Sequence, residues 1–265
     1  MRQVLVANDR VEVVRMGRGE PIILVPGLAG GWRLLAPLAR RLAAHHEVIL
    51  YGLRGDRSLL VDPRGNALSD YARDLAALID HLHLERPTVF GVSFGAAVAL
   101  ELAVTEPGRL GALVVQGVEA QFRAGLGATI ARRVLERFPL PSDNQFLNQF
   151  FNILHGGHPE PGPLAEFVIE RCWETDQAVM ARRLQALEGF DVSDRLWQID
   201  VPTLVLAGSK DMVVPPSRHH ALADAITGAR FETIDGAGHI GFLTHPGDIV
   251  RHVRRLVHDR QRSFC

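Results

Sequence analysis

Several short stretches of the chain are almost unbroken runs of apolar residues: Pro21-Ile22-Ile23-Leu24-Val25, Thr88-Val89-Phe90-Gly91, Leu113-Val114-Val115 and Val201 to Leu206. A strand with one wet face alternates apolar with polar residues, whereas a strand covered on both faces does not, so these runs predict the interior of a parallel sheet. His46 to Tyr51 and Phe231-Glu232-Thr233-Ile234 read as further strands. Between them, Leu34 to Leu42, Leu68 to Leu84, Ala96 to Val104 and Pro246 to Val257 carry apolar residues at helical spacing, with Asp70 placed to cap the second. Strands that alternate with helices predict an α/β, doubly wound, mostly parallel sheet. Val4 to Val6 and Val11 to Val14, flanking Ala7-Asn8-Asp9-Arg10, predict an N-terminal antiparallel hairpin ahead of it.

The rhythm breaks between residues 120 and 190, where helical patterns follow one another without a strand. This quarter of the chain holds seven of the twelve Phe residues (Phe122, Phe138, Phe146, Phe150, Phe151, Phe167 and Phe190) and a Gly/Pro-rich loop from His155 to Pro163. We read 120–190 as a helical lid inserted into a core formed by 1–119 and 191–265, with Phe122, Phe146 and Phe151 as candidate lining of an apolar pocket.

Charge narrows the field of partners. The 29 basic and 30 acidic residues leave a net charge of −1, and no segment gathers Lys or Arg as a phosphate-tracking surface would, so nucleic acid is not expected. Arg251, Arg254, Arg255, Arg260 and Arg262 cluster near the C-terminus, but the apolar spacing there is helical and a solvated helix face is the simpler reading. No run approaches the roughly 18 to 20 apolar residues a membrane span needs, and the first ten positions lack a secretory apolar stretch. The expectation is a cytoplasmic protein, monomer or homodimer, with no membrane partner. Cys172 and Cys265 lie too far apart in the chain to suggest a metal-ligand pattern or a disulfide framework, and are expected as free thiols.

Gly91-Val92-Ser93-Phe94-Gly95 fits Gly-x-Ser-x-Gly, in which the glycines let the serine stand on a tight strand-to-helix turn. By composition alone about 0.07 such matches are expected by chance, so the motif gains its weight from the apolar strand before it and the helix after it. His239 lies in Asp235-Gly236-Ala237-Gly238-His239, directly after the last predicted strand. Asp211 follows Leu204-Val205-Leu206-Ala207-Gly208-Ser209-Lys210, another strand that runs into a turn, and such turns at the carboxyl edge of an open sheet are where ligands bind. The order Ser93, Asp211, His239 assigns nucleophile, orienting acid and general base. Glu119 and Asp235 are competing acids. The turn Pro26-Gly27-Leu28-Ala29-Gly30-Gly31 can offer the Leu28 N–H, and the elbow the Phe94 N–H, to an oxyanion. His155 and His158, with Glu160, have a spacing that could suggest a metal but sit in a Gly/Pro loop without a Cys partner, so no metal is expected.

Taken together these residues resemble the α/β-hydrolase fold superfamily, in its compact lid-bearing branch that includes carboxylesterases. The resemblance rests on the strand and Pro26-Gly27 turn with Trp32 downstream, Leu53-Arg54-Gly55-Asp56-Arg57-Ser58, Asp74-Leu75, the elbow, Pro202-Thr203-Leu204 leading to Gly208 and Asp211, and Gly238-His239. It implies a serine hydrolase without cofactor that cleaves carboxylic esters of an apolar small molecule, with Trp32 and Ile240 near the substrate. The chain departs from the family where Pro26 replaces a His that often braces the oxyanion turn, where Val92 precedes the nucleophile in place of His, and where Ala96 stands in place of a third glycine. A serine at the elbow disfavours dehalogenation and epoxide opening. Ile240 after the histidine, and no Asn from Leu24 to Leu42, weigh against carbon–carbon hydrolysis. That activity, perhydrolysis and a slow-turnover ligand receptor stay as alternatives on the same triad.

Overall fold

The computed structural model describes residues 2–6, 9–56, 67–138, 145–157 and 162–262. Its strands are β1 (Arg2–Val6), β2 (Asp9–Met16), β3 (Pro21–Val25), β4 (Glu47–Tyr51), β5 (Thr88–Val92), β6 (Ala112–Gln116), β7 (Thr203–Gly208) and β8 (Arg230–Ile234). They form one sheet in the order β1-β2-β4-β3-β5-β6-β7-β8. The β1–β2 and β2–β4 pairs are antiparallel and the others parallel, as the hairpin and the apolar runs predict.

Successive side chains of each central strand enter opposite cores, which is why the runs show no alternation. Ile23 and Val25 of β3, Val89 of β5, Leu113 and Val115 of β6 and Val205 of β7 belong to one cluster. Ile22, Leu24, Phe90, Val114, Leu204 and Leu206 belong to the other. The first cluster is closed by α2 (Leu68–His81), α3 (Phe94–Thr105) and α8 (Pro216–Ala225), the second by α1 (Gly31–Leu42), α9 (Gly241–Thr244) and α10 (Pro246–Arg262).

Two helix C-termini differ by several residues from the sequence reading. The helix predicted to reach Leu84 stops at His81, because His83 turns left-handed (φ 51°) and the Leu84 N–H closes onto the Ile79 carbonyl at 3.1 Å. With the His83 N–H on Asp80 O this is a Schellman cap, built without the glycine that would have announced it. Asp70 sits in the first turn, and its carboxylate accepts the Ala67 N–H at 2.9 Å, half of a capping box whose other half an alanine cannot supply. The last helix runs to Arg262, past Val257, with Arg251, Arg254 and Arg255 exposed as a solvated face.

Between β6 and β7 come α4 (Leu126–Arg137), α5 (Gln145–His155), α6 (Pro163–Cys172) and α7 (Gln177–Glu188). The base of this insertion is tied: Gln121 and Asp191 bridge antiparallel, the Phe122 N–H donates to Phe190 O, and the Val192 N–H to Ala120 O. Its helices are unequal. Helix α4 packs on α7 and has no buried residue, whereas α7 buries Val179, Met180, Ala181, Arg183 and Ala186.

Candidate active site

Ser93 joins β5 to α3 with φ 52° and ψ −117°, a conformation that costs a non-glycine residue about 1–3 kcal/mol and persists only where its surroundings enforce it. Those surroundings explain the glycines. A Cβ on Gly91 would stand 2.3 Å from the Gly95 carbonyl oxygen, and one on Gly95 would stand 2.2 Å from the Val25 carbonyl oxygen. The Ser93 N–H donates across the sheet to the Gln116 carbonyl at 2.8 Å, and the Ser93 carbonyl accepts the Ala97 N–H at 3.1 Å, so strand and helix grip the turn from both sides.

His239 hangs from the loop that follows β8, and Asp211 from the one that follows β7. His239 Nδ1 and Asp211 Oδ2 lie 2.9 Å apart, both residues buried. The other oxygen, Oδ1, accepts the Val213 and Val214 N–H groups at 2.8 and 2.9 Å. Burial alone would raise the Asp211 carboxyl. The hydrogen bond and charge of His239, with the two amides, overcome this and hold it below the ordinary carboxylate value. The competing acids are engaged elsewhere: Glu119 pairs with Arg218 at 3.7 Å, and Asp235 accepts from Ser209 Oγ at 3.2 Å.

Three residues not singled out from sequence join the serine and histidine loops. Gln116, at the end of β6, gives its carbonyl to Ser93, and its side-chain amide donates to the His239 carbonyl at 3.2 Å. Gly117 has φ 73°, and a Cβ there would lie 2.6 Å from His239 Cε1, so only glycine lets the imidazole come so close. The Gly117 N–H donates to His219 Nε2 at 2.9 Å, which leaves Nδ1 to carry the proton toward the Pro215 carbonyl at 3.3 Å. His219 is fully buried, and burial pushes its pKa down. The contacts that join these residues to His239 and to each other have no local sequence signal, since Gln116 and His239 lie 123 positions apart and Gly117 and His219 102.

The turn after β3 lies against Ser93: a Cβ on Gly27 would be 3.7 Å from Ser93 Cβ. Among the described residues neither the Leu28 nor the Phe94 N–H has a protein acceptor. The turn is held from the insertion. The Gly30 N–H donates to Thr175 Oγ1 at 3.1 Å, and Arg183 Nη1 donates to the Leu28 carbonyl at 2.8 Å.

Three of the expected substrate neighbours fall in one apolar cluster and a fourth packs on the other. Trp32 packs against the cluster on the α1 side and donates its indole N–H to Glu12 at 3.2 Å. Phe151 and Ile240 are buried in that same cluster, and Phe122 packs against the opposite one. The backbone of Phe146 belongs to α5, but its side chain lies outside the described residues. His158, Glu160 and Cys265 also lie outside them. Among the described residues no group of three His, Cys, Asp or Glu side chains could hold a metal, and no helix is long and apolar enough to cross a membrane. Burial raises the thiol of Cys172 to about 12, which makes it a poor nucleophile.

Comparison with known proteins agrees with this architecture. The protein named "Putative carbamate hydrolase RutD" of Azorhizobium caulinodans is 30% identical over 231 residues, covering 84% of this chain and 85% of its own. Among solved structures, a thermophilic esterase from Thermogutta terrifontis superposes with a TM-score of 0.84 at 23% identity, covering 98% of each chain. The enol-lactonase from Burkholderia xenovorans LB400 superposes with 0.87 at 21% identity, covering 97% of this chain and all of the other. Residues 20–246 match the α/β hydrolase fold family, and the chain is a hydrolase of that family.

Proposed function

We propose that this hydrolase works by acyl transfer, cleaving carboxylic esters of a largely apolar small molecule through an acyl-enzyme on Ser93. The observation that carries the reading is a serine at positive φ on the elbow, tied through Gln116 to a histidine whose Nδ1 is 2.9 Å from a buried carboxylate. His239 takes the proton of Ser93 as Oγ attacks the ester carbonyl, and the Leu28 and Phe94 amides receive the developing oxyanion. Asp211 fixes the tautomer and stabilises the imidazolium, which then protonates the departing alcohol. Water enters in place of the alcohol, loses its proton to His239 and frees the acid. Every step uses groups of the chain itself. In this reading the Phe-bearing insertion acts as a lid over an apolar pocket, and the partner is a small molecule rather than a macromolecule.

The named relative favours a second substrate class for the same triad, a carbamate, whose carbonyl needs the same nucleophile and oxyanion donors. A series of nitrophenyl acyl esters of increasing length, run beside a nitrophenyl carbamate with wild type and Ser93→Ala, separates the two. Ester turnover that disappears in the variant supports the proposal. Turnover confined to the carbamate replaces the substrate class, and equal rates in both proteins remove the serine mechanism.

A further inference from the structure

The family's histidine that often braces the oxyanion turn is replaced here by Pro26, which cannot donate a hydrogen bond. Two side chains from the insertion meet the same turn. Thr175, in the connection between α6 and α7, is 2% exposed and accepts the Gly30 N–H. Arg183 of α7 is 0% exposed; besides the Leu28 carbonyl it binds the Arg54 carbonyl at 3.1 Å and Asp56 Oδ1 at 2.7 Å. The other oxygen of Asp56 accepts the Leu53 N–H at 3.0 Å, so one guanidinium joins the turn after β3 to the loop after β4. Asp56 matches its charge, and its two Nη groups donate to the Leu28 and Arg54 carbonyls and to that carboxylate, while its buried Nε has no partner among the described residues.

We propose that Arg183 and Thr175 are positioning residues for the oxyanion hole: held at Leu28 O and Gly30 N, the turn presents the Leu28 N–H beside Ser93 only while the insertion is seated on it. The left-handed Gly30 (φ 79°), at the second anchor point where the turn runs into α1, would otherwise let the turn swing, since glycine crosses easily between backbone basins. A purely structural role for the pair would alter stability while leaving the hole intact in every folded molecule. A positioning role falls on the transition state, because the Leu28 N–H matters most once the carbonyl oxygen has become an anion. The proposal rests on the acyl-transfer reading for its kinetic effect but not for its effect on the backbone.

The test compares Thr175→Val, Arg183→Lys and Arg183→Met with wild type, all in the full chain. Thr175→Val keeps shape and charge and carries the test should Arg183→Met fail to fold. Hydrogen exchange of amides 27 to 31 is expected to quicken in Thr175→Val and Arg183→Lys while the amides of α3 stay as slow as in wild type. On a nitrophenyl ester, kcat is expected to fall about fivefold in Thr175→Val and roughly 100-fold in Arg183→Met, with Arg183→Lys between and KM within about twofold throughout. Inhibition by an alkyl trifluoromethyl ketone, whose serine adduct carries an oxyanion, should weaken in proportion to kcat, while inhibition by the matching alcohol stays constant. Unchanged exchange at 27 to 31 overturns the proposal whatever the chemistry. So does a rise in KM alone, or an undiminished response to the ketone. An active wild type whose turnover survives Ser93→Ala overturns the acyl-transfer reading instead, and leaves the exchange result to decide the brace.

Discussion

Gln116 accepts the Ser93 N–H through its carbonyl at 2.8 Å and holds His239 by donating to that residue's carbonyl at 3.2 Å. One residue at the end of β6 therefore ties the Ser93 turn to the His239 loop. Gln116→Met keeps the volume and the backbone bond but deletes the side-chain donor. We expect kcat to fall about three- to tenfold, with KM and the melting temperature nearly unchanged, because the lost bond orders a loop on the reaction path. Steady-state kinetics beside a thermal melt would check it; an unaltered kcat would show that His239 needs no such tether.

Gly117→Ala tests the close approach of the imidazole. Its Cβ would lie 2.6 Å from His239 Cε1 and would sit on a residue with φ 73°, so ring and strand end must move apart. The expected cost is about 1–3 kcal/mol in stability and a fall of about 100-fold in kcat, read from urea denaturation and from turnover of a nitrophenyl ester. A folded variant with full activity would mean that His239 works from another position.

Much of this arrangement could be read along the chain, and all but one of the exceptions share a cause. Val89-Phe90 and Val114-Val115 announce buried strands because adjacent residues enter opposite cores. Ser93 and Asp211 lie on strand ends whose apolar runs are local, and His239 sits in a glycine-rich loop of its own. Gln116, His219, Thr175 and Arg183 bear no such mark, because each acquires its role only when a partner more than a hundred positions away folds against it. The overrun of α2 has the opposite origin: its Schellman cap is local, but His83 fills the place where glycine is the usual signal.

Asp211→Asn leaves the packing intact but presents an amide to Nδ1 of His239. The histidine then loses the acceptor that fixes its tautomer and the charge that stabilises its protonated form. A decrease in kcat of about 10³- to 10⁴-fold is expected, the scale known for the equivalent change in the serine protease triad. Binding of a substrate-like alcohol should be unaffected. A modest loss would transfer the orienting role to Glu119 or Asp235.

His219 gives the stability curve a direction. Buried and accepting the Gly117 N–H, it has a folded pKa below the ordinary 6.5. As pH falls through about 6.5 the unfolded chain takes up a proton that the folded chain refuses, so stability declines from there down to the depressed folded value. Burial lowers His46 and His155 in the same direction. Asp211 adds a second loss only in more acid solution, below the ordinary carboxylate value, because its folded pKa is lowered too. His219→Gln removes one titrating group, so urea midpoints of wild type and variant, well separated at pH 7.5, should draw together by pH 5. A constant separation would mean that the His219 pKa is the same folded and unfolded, and a widening one that His219 is charged when folded.

The attachments of the insertion decide which parts of it natural selection can rewrite. Helix α7 and the Thr175 connection hold the turn at Leu28 and Gly30, and the Leu154 carbonyl at the end of α5 accepts the Ile240 N–H beside His239. Exchanging the whole segment for that of a sister enzyme would remove its bonds to the Leu28–Gly30 turn and to the loop of His239 together. Helix α4, with nothing buried, is free of both constraints. New substrate ranges in this lineage should therefore arise from drift in α4 and the chain beside it, while residues 175 to 183 stay nearly frozen.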